Sequence, residues 1–248
     1  MKLENIVIVL DHPDESRNIG AACRAMANND ISELRIVGSL GDYDLEHIHV
    51  LAIHAGSLFD KARFYNSIKE ATADCTLCAG TTRRRGKKRG KLLLPEEFAN
   101  QASSITNTGG KVAVVFGNER TGLTDEQLDQ CTVGVTIPSS EGFGSLNLSH
   151  AVQIMCYHLF RNKLEERQGG YKGVAPVSLE RIDTTVCNIT DEMQKIGFFK
   201  MPGREDMESF WRQLLSRAAI SEGEAKYLEK TFSKISGLAK KNKSDKMD

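Results

Sequence analysis

Long hydrophobic runs are missing from this sequence of 248 residues. The apolar run nearest the start, Ile6–Leu10, ends at Asp11, whereas a membrane helix needs about 20 apolar residues and a signal peptide an apolar core of about 7 to 15. We therefore expect no membrane span, no membrane partner and no signal peptide, and hence a cytoplasmic protein.

Closely spaced metal ligands are also lacking. Cys75 and Cys78 form a C-x-x-C pair inside a predicted strand, but no second pair of cysteines or histidines has the spacing of a zinc site. The other cysteines are scattered, mostly among apolar residues. We predict small buried thiols and no metal at the six cysteines, which are Cys23, Cys75, Cys78, Cys131, Cys156 and Cys187.

An excess of charge of one sign is absent as well, because 33 basic residues balance 33 acidic ones. Charged residues make up 27% and apolar residues 40% of the chain, which is ordinary for a soluble globular protein. The distribution is uneven, however, since residues 83–91 read RRRGKKRGK. Such a dense basic run without acidic residues favours phosphate binding over a merely solvated loop.

Short apolar runs alternate with helix-like segments over the first two thirds of the chain. This alternation predicts an α/β fold with a mostly parallel sheet covered on both faces, and ligands collect at the carboxyl ends of the strands in such sheets. The predicted strands are Ile6–Leu10, Leu34–Val37, Ala62–Tyr65, Cys75–Ala79, Val112–Phe116 and Val133–Ile137; the helices lie near 19–29, 45–58, 67–73, 95–103, 124–130 and 146–167.

The pattern changes after residue 167. Residues 168–178, QGGYKGVAPVS, have little apolar periodicity and are rich in glycine, so we interpret them as a linker. A small helical extension follows over 179–248, with predicted helices near 179–197, 204–218 and 221–238. The first domain would then cover residues 1–167.

Two glycine- and asparagine-containing stretches follow predicted strands. In NIGAACR, Asn18 begins a strand-to-helix turn, and Arg24 is unusual among small apolar residues; pairing with Asp30 or Glu33 on the helix surface is the alternative to a functional role. In FGNERTGL, residues 116–123, the first glycine would let the backbone approach a ligand and the second would permit positive φ. A plain turn remains the alternative there.

The third stretch, IPSSEGFGSLNL, spans residues 137–148 and joins a strand to the long helix. Ser145 is a suitable N-cap for that helix. Exposed backbone N–H groups at this point could hold a polar ligand.

Taken in order, N-x-G-A-A-x-R, V-F-G-N-E-x-x-G-L and I-P-x(n)-S-L-N-L resemble the three motifs of the SPOUT superfamily of RNA methyltransferases, and more narrowly its SpoU/TrmH branch, over roughly residues 5–165. The resemblance implies a C-terminal trefoil knot, a rare topology, and a homodimer with sites at its interface. The implied activity is methyl transfer from S-adenosylmethionine to a ribose 2′-hydroxyl of RNA. A Rossmann site fits poorly because no G-x-G-x-x-G follows the first strand.

The resemblance also implies the roles of individual residues. Arg24, Asn18 and Glu119 would be catalytic. Because a guanidinium is effectively always protonated, we expect Arg24 to hold the target phosphate or ribose and to stabilise the developing alkoxide rather than to act as a base. Asn147 would support the loops as part of the cofactor site, which would comprise Thr81, Thr82, Arg83, Gly117, Ile137, Gly144, Ser145, Leu146 and Asn147.

The basic run would then contact RNA phosphates through Arg84, Arg85, Lys87, Lys88 and Arg89. Within the SpoU/TrmH branch the chain is most similar to the subgroup that methylates nucleotide 32 in the tRNA anticodon loop. Two alternatives remain: a SpoU-type enzyme for ribosomal RNA or another tRNA position, and a non-catalytic RNA-binding homologue. The helical extension could serve either the dimer or the RNA.

Overall fold

The computed structural model describes residues 1–83, 92–165, 175–199 and 203–244. Its six strands form one sheet in the spatial order β3-β2-β1-β5-β4-β6, and every pairing is parallel. The predicted α/β class with a mostly parallel sheet is confirmed. The strands are β1 Ile6–Asp11, β2 Glu33–Val37, β3 Arg63–Tyr65, β4 Leu77–Thr81, β5 Val112–Phe116 and β6 Val133–Val135.

The two central strands show why this sequence forms a sheet covered on both faces. Strand β1 pairs with β5 from Ile6–Val112 to Leu10–Phe116, and every residue of both strands is buried. Because successive side chains of a strand point to opposite faces, complete burial requires cover on both sides. A run of apolar, mostly β-branched residues satisfies both faces at once.

Helices form two layers. Helices α1, α2, α5 and α7 pack on the face that carries Ile8 and Leu10, and α1 also contacts α2 and α7 directly. The helices are α1 Ser16–Ala27, α2 Leu45–Ala52, α3 Gly56–Asp60, α4 Ile68–Ala71, α5 Pro95–Asn107, α6 Asp125–Asp129, α7 Leu148–Glu165, α8 Leu179–Lys195, α9 Arg204–Ala218 and α10 Glu222–Ser244. None of the helices in the described ranges combines the length and apolar character that a membrane crossing requires.

The C-terminal helices cover the opposite face of the sheet. Ile182 of α8 and Leu215 of α9 belong to the same buried cluster as Val7 and Val9 of β1. Val177 is also buried, and its backbone N–H donates to the carbonyl of Ile220 over 2.9 Å. The predicted extension therefore shares a hydrophobic core with the sheet, and Val177 of the predicted linker is packed into that core.

Several predicted boundaries differ from the structure. Strand β4 is Leu77–Thr81 rather than 75–79, so Thr81 belongs to the strand. The helix predicted over 45–58 is broken, because Ile53 adopts φ of 54° and a left-handed residue cannot continue a right-handed helix. The predicted burial of thiols is confirmed for five cysteines and wrong for Cys187, which lies on the exposed side of α8.

Charged side chains meet near the amino ends of the strands. Arg35 is only 2% exposed, and its guanidinium donates to Glu33 Oε1 over 3.0 Å and to both carboxylate oxygens of Asp74 over 2.5 and 2.9 Å. Lys111 Nζ lies 2.9 Å from Glu33 Oε2 and 3.2 Å from Asp74 Oδ2. Two cations and two carboxylates thus compensate each other, as a buried charge requires.

Candidate active site at the carboxyl edge of the sheet

A cavity of about 300 Å³ opens at the carboxyl ends of β4, β5 and β6. This is the edge at which open parallel sheets bind ligands, and the volume is that of a small-molecule site. The cavity is lined by Thr81, Thr82, Arg83, Phe116, Gly117, Asn118, Glu119, Arg120, Thr121, Gly122, Leu123, Ile137, Gly144, Ser145, Leu146, Leu148 and Ala151.

Eight of the nine residues predicted for the cofactor site line this cavity, although they come from three separate loops. The remaining residue, Asn147, is not part of its lining. The first wall is held by Thr81, whose hydroxyl donates to the carbonyl of Val115 over 2.9 Å, and by Thr82, whose backbone N–H donates to the carbonyl of Val135 over 2.8 Å. These bonds tie the end of β4 to both neighbouring strands.

The second wall is the loop that follows β5, residues 116–123. A Cβ atom at Gly117 would lie 2.4 Å from the backbone nitrogen of Leu123, so the loop folds back against its own glycine. The requirement for glycine thus has a cause within the loop, not only in a ligand. Gly122 has φ of +66° and its N–H donates to the carbonyl of Asn118 over 2.7 Å, which confirms the predicted positive φ.

The third wall is the segment between β6 and α7. The Ser139 hydroxyl donates to the carbonyl of Gly144 over 2.9 Å, and a Cβ at Gly144 would lie 2.3 Å from Nη1 of Arg83. Helix α7 begins at Leu148, so the prediction of Ser145 as its N-cap is wrong. Asn147 directly precedes the helix, and its side-chain oxygen accepts from the backbone N–H of Ser149 over 2.9 Å, as an N-cap residue does.

Beside the cavity, hydrogen bonds connect all three motifs. Asn147 Nδ2 donates to Asn18 Oδ1 over 2.9 Å, and Asn18 Nδ2 donates to Glu119 Oε1 over 3.0 Å. Glu119 also accepts from the backbone N–H groups of Asp14, over 2.7 Å, and Glu15, over 3.3 Å. The carboxylate therefore fixes the loop that precedes α1 to the loop that follows β5.

Two neighbouring residues strengthen this connection and were not assigned a role from the sequence. The Arg120 guanidinium lies 2.6 Å from the Asp14 carboxylate, and Asn118 Nδ2 donates to the backbone carbonyl of His12 over 2.9 Å. Both partners lie more than a hundred residues away in the sequence, so no local pattern announces them. For Arg120, its position inside the second motif is the sequence feature that points to a role near the site.

Arg24 stands apart from these contacts. Its side chain is exposed on α1 and makes no hydrogen bond or ion pair within the described ranges. The alternative partners are occupied, since Asp30 pairs with Lys163 over 3.3 Å and Glu33 belongs to the charged cluster at the amino ends. The structure thus rejects the surface ion pairs considered from the sequence and does not join Arg24 to Asn18 or Glu119.

The remaining predicted contacts lie outside the described residues. Arg84, Arg85, Lys87, Lys88 and Arg89 belong to residues 84–91, and only Arg83, at their edge, is described. Among the described residues, no group of three or more His, Cys, Asp or Glu side chains could hold a metal ion.

Together, these features define an α/β protein with a cofactor-sized cavity at a carboxyl edge and a polar network beside it. The family model of the SpoU rRNA methylases matches residues 5–157, and the chain belongs to this family.

Its relatives include the tRNA (cytidine-2′-O-)-methyltransferase TrmJ of Methanocaldococcus jannaschii, 31% identical over 92% of this chain and 98% of the relative. The tRNA (cytidine/uridine/adenosine-2′-O-)-methyltransferase TrmJ of Pseudomonas aeruginosa is 32% identical over 96% of each chain. The crystal structure of TrmJ from Z. mobilis superposes with a TM-score of 0.71 at 27% identity, covering 92% of this chain and 98% of that one. These matches confirm the resemblance to TrmJ and extend it into the C-terminal helices.

Proposed function

We propose that this protein transfers a methyl group from S-adenosylmethionine to a ribose 2′-hydroxyl of tRNA, at nucleotide 32 of the anticodon loop. The observation that carries the proposal is the convergence of three motif loops on one cavity, next to a network that joins Asn18, Glu119 and Asn147. The TrmJ relatives, two of which are about a third identical to nearly the whole chain, support tRNA as the substrate.

The residues of the cavity fit S-adenosylmethionine. Phe116, Leu123 and Leu148 give it an apolar portion, and the loop backbone at Gly117 and Gly144 contributes polar groups to its lining. This mixture of apolar surface and a few polar groups suits a nucleoside with a charged tail. When bound, the cofactor supplies an electrophilic methyl group.

The polar network would position the acceptor ribose. Glu119 accepts from three donors, which leaves it fixed as an anchor for Asn18 and for the backbone at Asp14. These contacts support a positioning role for Glu119 toward Asn18 and the loop that precedes α1. Groups held in this way align a reacting hydroxyl before the chemical step.

Arg24 would meet the RNA. Its guanidinium is exposed and free of partners within the described residues, so it can bind a phosphate or ribose oxygen of an incoming strand. Its fixed positive charge would stabilise the alkoxide that develops as the 2′-hydroxyl loses its proton. The basic residues Arg84, Arg85, Lys87, Lys88 and Arg89 would add phosphate contacts.

A trefoil knot and a homodimer belong to the same proposal. Strand β6 lies at the outer edge of the sheet beside β4, yet α7, which follows it, packs on α1 and α5. Residues 136–147 must cross between these places next to the other motif loops, which supports a knotted path. The homodimer is what the family resemblance implies. A cytoplasmic location would suit a tRNA-modifying enzyme.

Calorimetric titration of the purified protein with S-adenosylmethionine tests the cofactor site. We expect saturable binding, and its absence would favour the non-catalytic homologue.

Mapping of ribose methylation in tRNA and ribosomal RNA from a deletion strain tests the substrate. We expect loss at nucleotide 32; an unchanged anticodon loop together with loss at another position would instead identify another SpoU-type substrate.

A further inference from the structure

The end of strand β1 carries a buried carboxylate. Asp11 is 2% exposed and lies on the face of the sheet that also bears Val7 and Val9. Its two oxygens have different neighbours: Oδ1 lies 3.0 Å from Nδ1 of His12, and Oδ2 accepts from Nε2 of Gln127 over 2.5 Å. Burial raises the pKa of Asp11, and the hydrogen bonds from His12 and Gln127 act in the opposite direction.

Gln127 links this carboxylate to the cofactor loop. Its Oε1 accepts from the backbone N–H of Thr124 over 2.7 Å, while the Thr124 hydroxyl accepts from the N–H of Gln127 over 3.2 Å, which completes a capping box at the start of α6. Leu123, the residue before Thr124, lines the cavity and is 3% exposed. One amide group thus holds the end of the loop and is itself held by Asp11.

The arrangement is costly if stability alone is considered. A buried carboxylate loses hydration, and an apolar contact at the base of α6 would avoid that loss. The loop also packs tightly on itself at Gly117, where the backbone of Gly122 and Leu123 approaches to 2.4 Å from the position of a Cβ atom. A displacement of α6 would therefore be transmitted through the whole second wall.

We propose that Asp11 is a positioning residue for the cofactor loop, residues 116–123, and that it acts through Gln127. The proposal rests on the proposed function in one respect, since it assigns S-adenosylmethionine to the cavity that this loop lines. Asp11 itself is not among the cavity-lining residues.

An exchange of the two polar groups tests the proposal. Gln127→Glu keeps an oxygen for the Thr124 N–H and so preserves the cap, but it brings a second carboxylate against Asp11. The double variant Asp11→Asn with Gln127→Glu restores a hydrogen bond in the reverse direction, because the new asparagine amide can donate to the new carboxylate. Gln130→Glu is the matched control, since Gln130, at the C-terminal end of α6, accepts from the backbone N–H of Lys69 in α4 and makes no hydrogen bond to Asp11 within the described ranges.

Two measurements are made on the full chain at temperatures where circular dichroism shows every variant folded. Hydrogen exchange of the free protein should become faster in residues 116–123 for Gln127→Glu and return to the wild-type rate in the double variant. Calorimetry with S-adenosylmethionine should show a Kd raised about tenfold or more by Gln127→Glu and restored by the exchange. The Gln130→Glu control should match wild type in both.

Wild-type exchange rates in Gln127→Glu, or no rescue by the double variant, would overturn the positioning role. Absence of cofactor binding by the wild-type protein would overturn the proposed function instead, and the exchange rates of the free loop would still decide the role of Asp11. A uniform increase in exchange across the sheet would show that Asp11 serves general stability, which also contradicts the proposal.

Discussion

The two ends of the sheet carry polar networks that differ in composition and exposure. At the amino ends, two cations and two carboxylates surround Arg35, which is 2% exposed, and they neutralise each other. At the carboxyl ends, amides and one carboxylate at Asn18, Glu119 and Asn147 form a half-exposed chain. The cation Arg24, which has no partner among the described residues, lies further along α1, the helix that carries Asn18. The first network is complete within the chain, whereas the second leaves hydrogen-bonding capacity and positive charge for a ligand.

This difference separates stability from function in a testable way. Substitutions at the amino ends should change the free energy of unfolding and leave cofactor binding intact. Substitutions at the carboxyl ends should instead change methyl transfer or RNA binding and leave the free energy of unfolding nearly intact.

Arg24→Ala should lower the rate of methyl transfer by about 10³-fold, because a charge aimed at a developing alkoxide is lost. The Kd for S-adenosylmethionine should change little, since Arg24 does not line the cavity. Single-turnover assays and calorimetry measure the two quantities. Arg17→Ala, an exposed arginine at the start of the same helix, is the control and should lose far less activity; full activity of Arg24→Ala would remove Arg24 from the site.

Arg35→Ala should reduce the free energy of unfolding by about 3 kcal/mol, because it leaves two carboxylates with one buried partner fewer. Arg63→Ala is a matched control: Arg63 also donates to Glu33 Oε1, over 2.9 Å, but its side chain is 62% exposed, so the loss should stay below about 1 kcal/mol. Urea denaturation gives both values. Equal losses for the two variants would contradict the contrast between buried and exposed charge.

The basic run follows β4 in the sequence, so its substitution tests the expected RNA contacts at the carboxyl ends. Replacing Arg84, Arg85, Lys87 and Lys88 by alanine should weaken tRNA binding. It should also make the plot of log affinity against log salt less steep, with a slope that is smaller in magnitude by about 2 to 3. Filter binding at several salt concentrations measures this slope. Alanine at Lys2 and Lys61, both exposed, should leave it unchanged; an unchanged slope in the fourfold variant would rule out phosphate contacts by the run.

Acid should weaken the amino-end cluster. Hydrogen bonds from Arg35 hold the pKa of Asp74 well below its ordinary value, although burial acts to raise it. Burial also acts to raise the pKa of Glu33, but hydrogen bonds from Arg35 and Lys111 outweigh this effect and lower it. A lowered pKa in the folded state adds stability above the unfolded-state value, and this stability is lost as the pH falls below about 4.

Asp74→Asn should therefore flatten the acid limb of the stability curve, by about 1 kcal/mol, since Asp74 is half exposed and solvent screens part of the effect. Thermal unfolding between pH 3 and pH 6 checks the slope. The same slope in wild type and variant would show that Asp74 does not control the acid limb.

The sequence predicted those parts of the molecule that depend on local pattern. The strand Val112–Phe116 was predicted with its observed bounds, because a run of buried β-branched residues suits a sheet covered on both faces. The eight cavity residues came from the resemblance, not from periodicity. The capping box Thr124–Gln127 has the local pattern T-x-x-Q, so the sequence also carries a signal for the start of α6.

What the sequence could not predict are contacts between distant segments. The backbone N–H groups that hold Glu119 belong to Asp14 and Glu15, more than a hundred residues earlier. The packing of Ile182 beside Val7 is likewise a tertiary contact, and the glycine-rich stretch before α8 suggested separation instead. Backbone donors and shared cores leave no periodic signal in a single sequence.

The decisive measurement for 2′-O-methylation at nucleotide 32 is the transfer of labelled methyl groups from S-adenosylmethionine to two tRNA transcripts that differ in one atom. The first has an ordinary ribose at nucleotide 32, and the second has a 2′-deoxyribose there. We predict incorporation of one methyl group per molecule into the first transcript and none into the second. Equal incorporation into both, or none into either, would contradict the proposed reaction at the carboxyl edge of the sheet.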